Sequence, residues 1–353
     1  MKFHINGLAL KWFESFLINR SFNVSVGNNL SDTKYVKYGV PQGSVLGPVL
    51  FSLYSQEICC ITNHCGYNVH MYADDVQIYL KCTDIDAEMI LVKNCFLKIQ
   101  SWAQQNYLKL NENKSKLLVI SNKFSKFLSS SLIFNQQGFV LDKAVKNLGF
   151  IIDNHLDHNT QVNKICRNGF FAIRNLWRIS SKITDVSLKI QLVHALILSN
   201  IDYCNSLYIN LPQKQINKLQ RLMNAAVRFI FNLKKSDRVS VTYYMKLCHF
   251  LPVKLRIQYK IALVVYKCFN NTAPPYLQKL LLPKDSLPSL RISQDRLLLH
   301  VPRLNNQNYR NRTFSISAPR IWNDLPYSVR ESSSLSVFKT KLKTHYFHQY
   351  YGE

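Results

Sequence analysis

Two adjacent carboxylates, Asp74 and Asp75, are the residues of this chain best suited to chemistry. They follow Tyr72-Ala73. Val69 and Met71 stand before them, and Val76, Ile78, Tyr79 and Leu80 after. That alternation predicts a β-hairpin over residues 67–80 with the pair at its tip. Side by side, two carboxylates repel each other unless a cation lies between them. Hard oxygen ligands suit Mg²⁺, which also binds substrate phosphates. A two-metal site of this type performs in-line phosphoryl or nucleotidyl transfer. The plainer reading is a simple turn, because Asp is a favoured turn residue.

A second feature lies upstream, in Gly39-Val40-Pro41-Gln42-Gly43-Ser44-Val45-Leu46-Gly47-Pro48. The chain has only 10 glycines, and three of them fall in this stretch at a spacing of four. Glycine permits close backbone approach and positive φ. Ser44 is a plausible N-cap and Pro48 fits an early helical turn, so a helix is expected over residues 45–61. A glycine loop feeding a helix N-terminus can present N–H groups to phosphates. It is not a Walker loop, since no Gly-Lys-Ser/Thr follows. Read blandly, it is a tight turn packing a helix against a sheet.

Taken in order, these motifs resemble the reverse transcriptases of LINE-type (non-LTR) retrotransposons. Gly39 to Pro48 looks like that family's nucleotide-pocket loop, and Tyr72 to Asp75 like its Tyr-x-Asp-Asp metal site. The run from Trp102-Ala103-Gln104-Gln105-Asn106 through Lys114-Ser115-Lys116 to Ile120 is similar to the next palm motif. Lys146-Asn147-Leu148-Gly149-Phe150 looks like the primer grip. Ser317-Ala318-Pro319-Arg320-Ile321-Trp322 and Ser334-Leu335-Ser336-Val337-Phe338 resemble the tail of such elements.

The resemblance implies an RNA-directed DNA polymerase acting on an RNA template and a DNA primer with dNTPs. It implies two Mg²⁺ ions held with the help of Asp74 and Asp75, and Tyr72 supporting the turn beside the primer end. Gln42 and Gly43 would approach the incoming nucleotide, Lys114 would stand near the leaving phosphates, and Leu148 and Gly149 would belong to the primer grip. The family's metal site also uses an Asp on a strand well before the glycine loop. Here the only acids ahead of Asp74 are Glu14, Asp32 and Glu57, none in such a strand context. An N-terminally truncated fragment, inactive alone, is therefore expected. Its alternative is a non-catalytic, nucleic-acid-binding remnant of a retroelement.

Composition bounds the reading. At 353 residues and 47% hydrophobic content the chain can build a real core. The nine Cys are scattered, which suits reduced thiols in an intracellular setting, nucleus and cytoplasm. Cys59, Cys60, His64 and Cys65 lie close together, but their spacing matches no common zinc finger. No signal peptide or membrane-length apolar run is visible. Net charge is +25, unevenly spread: 15 Lys and Arg against 11 Asp and Glu through Asp153, then 30 against 9 beyond it. Such an excess suits an anionic polymer, most naturally nucleic acid.

The elements that must position these residues follow from periodicity. An amphipathic helix is expected over residues 8–20 with Leu8, Trp12, Phe13 and Phe16 inward, then a hairpin around Gly27-Asn28-Asn29. A long helix over 86–107, a strand over 116–121 and strands over 139–153 come next. Beyond these, helices over 162–181, 186–203 and 216–231 dominate. The last has Leu219, Leu222, Met223 and Val227 as its core face and Lys214, Lys218, Arg221 and Arg228 outside. A terminal helix over 335–347 carries Lys339, Lys341 and Lys343. The expected fold is α+β: a partial polymerase palm, an antiparallel sheet with packed helices, then an α-helical thumb and a helical C-terminal region. The expected domains are a partial fingers and palm over 1–153, a helical thumb over 154–235 and a basic, mostly helical region over 236–353.

Overall fold

The computed structural model describes residues 5–41, 43–81, 84–120, 142–234, 236–284, 297–302 and 313–352. The chain forms two compact units, one lying within Met1–Leu117 and the other mainly within Asp142–Glu353.

The first unit is mixed. Helix α1 (Gly7–Leu17) leads into a paired ribbon in which β1 (Arg20–Phe22) meets β4 (Lys34–Val36), and β2 (Ser25–Val26) meets β3 (Asn29–Leu30). Helix α2 (Gly47–His64), the hairpin β5 (Asn68–Tyr72) and β6 (Asp75–Tyr79), and helix α3 (Ile85–Gln105) follow. Packing centres on Ile58, Tyr67, Cys95 and Ile99, with Met71, Val76, Leu80 and Trp102 around them. Helix α1 forms as its 3.6-residue pattern predicts, yet it buries no residue. Leu8 is exposed, and Trp12 stacks on Phe16 of its own helix at 5.4 Å. Periodicity marks a face; it does not supply the partner that covers it. Residues 116–120 hold a single bridge at Leu117 where a strand was expected, and Ser121 lies outside the described residues.

The second unit opens with the hairpin β7 (Ala144–Asn147) and β8 (Phe150–Asp153) and continues as helices. Helix α4 (Asn159–Arg178) packs on α7 (Gln213–Ile230). Their approach is close because Gly169 faces Leu222: a Cβ there would lie 2.6 Å from a Leu222 methyl. On α7 the expected core face is the observed one, with Leu219, Leu222, Met223 and Val227 completely buried. The helix expected over 186–203 is broken into α5 (Val186–Val193), one π-helical turn (His194–Leu198) and α6 (Ser199–Asp202). Helices α8 (Val241–Leu247), α9 (Val253–Phe269), α10 (Pro275–Gln278), α11 (Phe314–Asn323), α12 (Tyr327–Arg330) and α13 (Leu335–Tyr351) complete the unit. Trp322 and Phe338 are enclosed against α9 residues Tyr266 and Phe269.

The sheets differ from the single antiparallel sheet expected. All described strands sit in four separate two-stranded ladders. Each therefore has open edges among the described residues. No described helix is long and apolar enough to cross a membrane.

Candidate active site

The Asp pair sits where its sequence setting predicts. Tyr72 pairs with Asp75 across the ladder, so Ala73 and Asp74 form the two-residue turn. Alternation along the strands gives the hairpin two faces. Val69, Met71 and Val76 are half-buried. Met71 meets Cys59 of α2, with the sulfur atoms 3.3 Å apart. On the opposite face His70 and Tyr79 stack, and the Tyr79 hydroxyl meets His70 Nε2 at 2.9 Å. Packing of one face thus aims Tyr72, Asp74 and Asp75 into solvent, where all three are exposed. Ala73 makes the turn at φ 51°, in the left-handed region that costs a non-glycine residue about 1–2 kcal/mol.

The glycine loop enters α2 differently from expectation. The helix begins at Gly47, with Leu46 at the N-cap position and Pro48 in the first turn. Ser44 is not the N-cap. Its hydroxyl instead donates to the Pro41 carbonyl at 2.8 Å and accepts from the Gly47 N–H at 3.1 Å, closing a turn before the helix. A Cβ on Gly47 would lie 3.0 Å from Ser44 Oγ and 3.3 Å from the Pro41 carbonyl, so a side chain there would push this turn outward by a few tenths of an ångström. Gly43 is exposed at φ 80°. Gln42 lies outside the described residues.

Lys114 is exposed in a turn closed by its own N–H donating to Asn111. Among the described residues it makes no ion pair with Asp74 or Asp75. Glu14 lies on α1, Asp32 in the ribbon loop and Glu57 on α2. Among the described residues, no group of three or more His, Cys, Asp and Glu comes together to hold a metal. The Asp pair has the right donor chemistry for a hard cation, but by itself it offers two carboxylates and not a closed site.

Leu148 and Gly149 form the turn of the β7–β8 hairpin, both at positive φ (44° and 85°). Here the structure adds a residue that sequence reading passed over. The Tyr203 hydroxyl donates to the Leu148 carbonyl. Its hydroxyl lies 3.6 Å, and its ring 3.7–3.9 Å, from where a Gly149 Cβ would stand. Below the turn Asp153 is buried. Its Oδ1 accepts from the Asp157 N–H at 2.9 Å, while Oδ2 has no hydrogen-bond partner among the described residues. Burial pushes this carboxyl above its ordinary range, and the Asp157 carboxylate adds to the shift. A tyrosine far along the chain gives no local signal; only the fold reveals its contact.

The described geometry is thus a paired carboxylate at an exposed hairpin tip, with a glycine-bearing turn before the preceding helix. Residues 2–152 of the chain match the reverse transcriptase (RNA-dependent DNA polymerase) family. Its relatives are named for mobile elements of flies. It is 26% identical over 226 residues, 62% of this chain and 24% of the relative, to the RNA-directed DNA polymerase from mobile element jockey of Drosophila melanogaster. It is 24% identical over 231 residues (62% and 25%) to the probable RNA-directed DNA polymerase from transposon BS, and 25% identical over 223 residues (62% and 24%) to that from transposon X-element, both of Drosophila melanogaster. The chain spans about a quarter of the length of these curated relatives.

Proposed function

We propose that this chain is part of a non-LTR retrotransposon RNA-directed DNA polymerase acting inside the cell, in cytoplasm and nucleus. Residues 1–153 would be its partial fingers and palm, 154–235 its thumb and 236–353 a basic C-terminal region. One observation carries the reading: Asp74 and Asp75 stand exposed on a hairpin tip inside the segment that matches the reverse transcriptase family.

In this reading Asp74 and Asp75 would hold Mg²⁺. Bound Mg²⁺ supplies charge neutralisation at the phosphates and activates the primer hydroxyl. Tyr72, exposed beside the pair, supports the turn at the primer end. Gln42 and Gly43 approach the incoming dNTP, and Lys114 Nζ offers a proton to the leaving phosphate. Leu148 and Gly149 hold the primer strand. The acids ahead of Asp74 supply no further ligand, so the chain alone should fall short of polymerisation by about 10²–10³ in rate or more.

The charge distribution supports a second element of the reading, nucleic-acid binding without catalysis. Lys339, Lys341 and Lys343 are exposed on α13, as are Lys214 and Arg221 on α7. The test uses the purified chain with an RNA template, a DNA primer, dNTPs and Mg²⁺. No incorporation is expected, together with binding to the template–primer that weakens about tenfold or more between 50 and 200 mM salt. Incorporation abolished by Asp74→Ala would overturn the inactivity. Equal affinity at both salt concentrations would remove the binding role.

A further inference from the structure

The Leu148–Gly149 turn is under strain that something must offset. Leucine at φ 44° is disfavoured by about 1–2 kcal/mol relative to ordinary backbone. Such residues persist where their surroundings over-determine them. One side chain, Tyr203, makes two contacts with the turn. Its hydroxyl donates to the Leu148 carbonyl, and its ring lies close along the backbone of Gly149. The Leu148 side chain is left pointing outward, 42% exposed.

Tyr203 is itself held. Its N–H donates at 3.0 Å to the carbonyl of Ser199, the first residue of α6. The preceding residue, Asp202, accepts from both Nε and a terminal nitrogen of Arg256 on α9, with the Nε contact at 2.8 Å. Arg256 is only 17% exposed, so this paired hydrogen bond is partly shielded from water. It ties the end of α6 to a helix whose Ile257, Ile261 and Val265 lie in the main core. Core packing therefore fixes α9, α9 fixes Asp202, and Tyr203 fixes the turn.

We propose that Tyr203 is a positioning residue that presents Leu148 to the primer strand of a bound template–primer. The inference rests on the reading of Leu148 and Gly149 as the primer-contacting turn. Tyr203 itself touches no substrate. It holds the exposed leucine in a strained, defined place, so that the apolar side chain can meet a sugar face near the primer terminus.

The test compares the full chain with Tyr203→Phe, Leu148→Ala and the double variant. Affinity is read by fluorescence anisotropy for a recessed RNA–DNA template–primer and for the same RNA single-stranded. Amide exchange across residues 144–153 is followed in parallel. Each single change should weaken template–primer binding roughly three- to tenfold, the weight of one hydrogen bond or one small apolar contact. Single-strand binding should not move. The double variant should be no weaker than Leu148→Ala alone, because both changes remove one shared contact. Tyr203→Phe should also speed exchange at the turn.

Each of the other outcomes overturns the inference. Unchanged template–primer affinity in Tyr203→Phe, with loss in Leu148→Ala, removes Tyr203 and leaves the primer-grip reading standing. No loss in either variant removes both. Strictly additive losses mean that the two residues act separately. Equal losses on single-stranded RNA assign Tyr203 a merely structural part. Tyr203→Phe keeps the half-exposed ring and loses only the hydroxyl, so it is the variant that leaves the unit folded.

Discussion

Two hairpins of nearly equal size carry the chain's two candidate nucleic-acid contacts, and they are held in opposite ways. The β5–β6 hairpin is five residues a side with a two-residue turn, packed on one face by a core of four enclosed residues. Its tip, with Tyr72, Asp74 and Asp75, is exposed, and among the described residues no side chain of another element bonds it. The β7–β8 hairpin is shorter, four residues a side, yet its turn is bonded to Tyr203 and its end to a helical core of far larger extent. Strand length does not decide how firmly a turn is placed. Attachment to a core does, because a two-stranded ribbon alone is marginal in water.

The largest expected effect sharpens this contrast at the level of cores. Leu222 on α7 is fully enclosed and sits against Gly169. Leu222→Ala should cost about 3–5 kcal/mol in the second unit, the range for a buried leucine whose cavity cannot collapse. Ile99→Ala, in the smaller core of the first unit, should cost nearer 2 kcal/mol, at the low end of the same range. Urea unfolding followed by peptide-resolved amide exchange reads each unit separately. Equal costs would mean that the small core is as tightly packed as the large one.

A smaller effect tests the polar side of the anchored hairpin. Asp153 is buried at the end of β8, and burial raises its carboxyl above the ordinary 3.8. A raised folded-state value means that the folded chain binds the proton more tightly. The stability this provides is complete below the ordinary value and is lost as pH rises through the folded one. Asp153→Asn keeps an oxygen to accept from the Asp157 N–H and removes the buried charge. It should therefore be less destabilising at about pH 7 than at about pH 4, in urea melts at both. The reverse order would show that Asp153 is held as a stabilised anion.

Much of this was legible in the chain. The Asp-Asp hairpin, the helical second half and the inward face of α7 follow from period and spacing, since those patterns encode local geometry directly. Three features did not follow. The exposed flank of α1 has an apolar pattern and no described partner. Ser44 closes a turn two residues before the N-cap, where the sequence suggests the N-cap itself. The contact of Tyr203 with Leu148 spans 55 residues, and no short-range rule reaches that far. Local signals reveal elements; the contacts that fix one element against another depend on where the chain returns.

The finest test compares the two turns themselves. Ala73 and Leu148 both occupy positive φ, at 51° and 44°. Glycine at either place removes a strain of about 1–2 kcal/mol but adds freedom to the unfolded chain, so a net gain of about 0.5–1 kcal/mol is expected. The gains should be read in different places. At Leu148 the turn is bonded into the second unit, so Leu148→Gly should raise the unfolding midpoint of that unit. At Ala73 no described anchor transmits the change, so Ala73→Gly should slow amide exchange within residues 68–79 and leave the rest of the chain untouched. A midpoint shift across the first unit from Ala73→Gly would mean that the Asp-bearing tip is coupled to its core as firmly as the Leu148–Gly149 turn is to its own. The contrast between an open and an anchored hairpin would then fail.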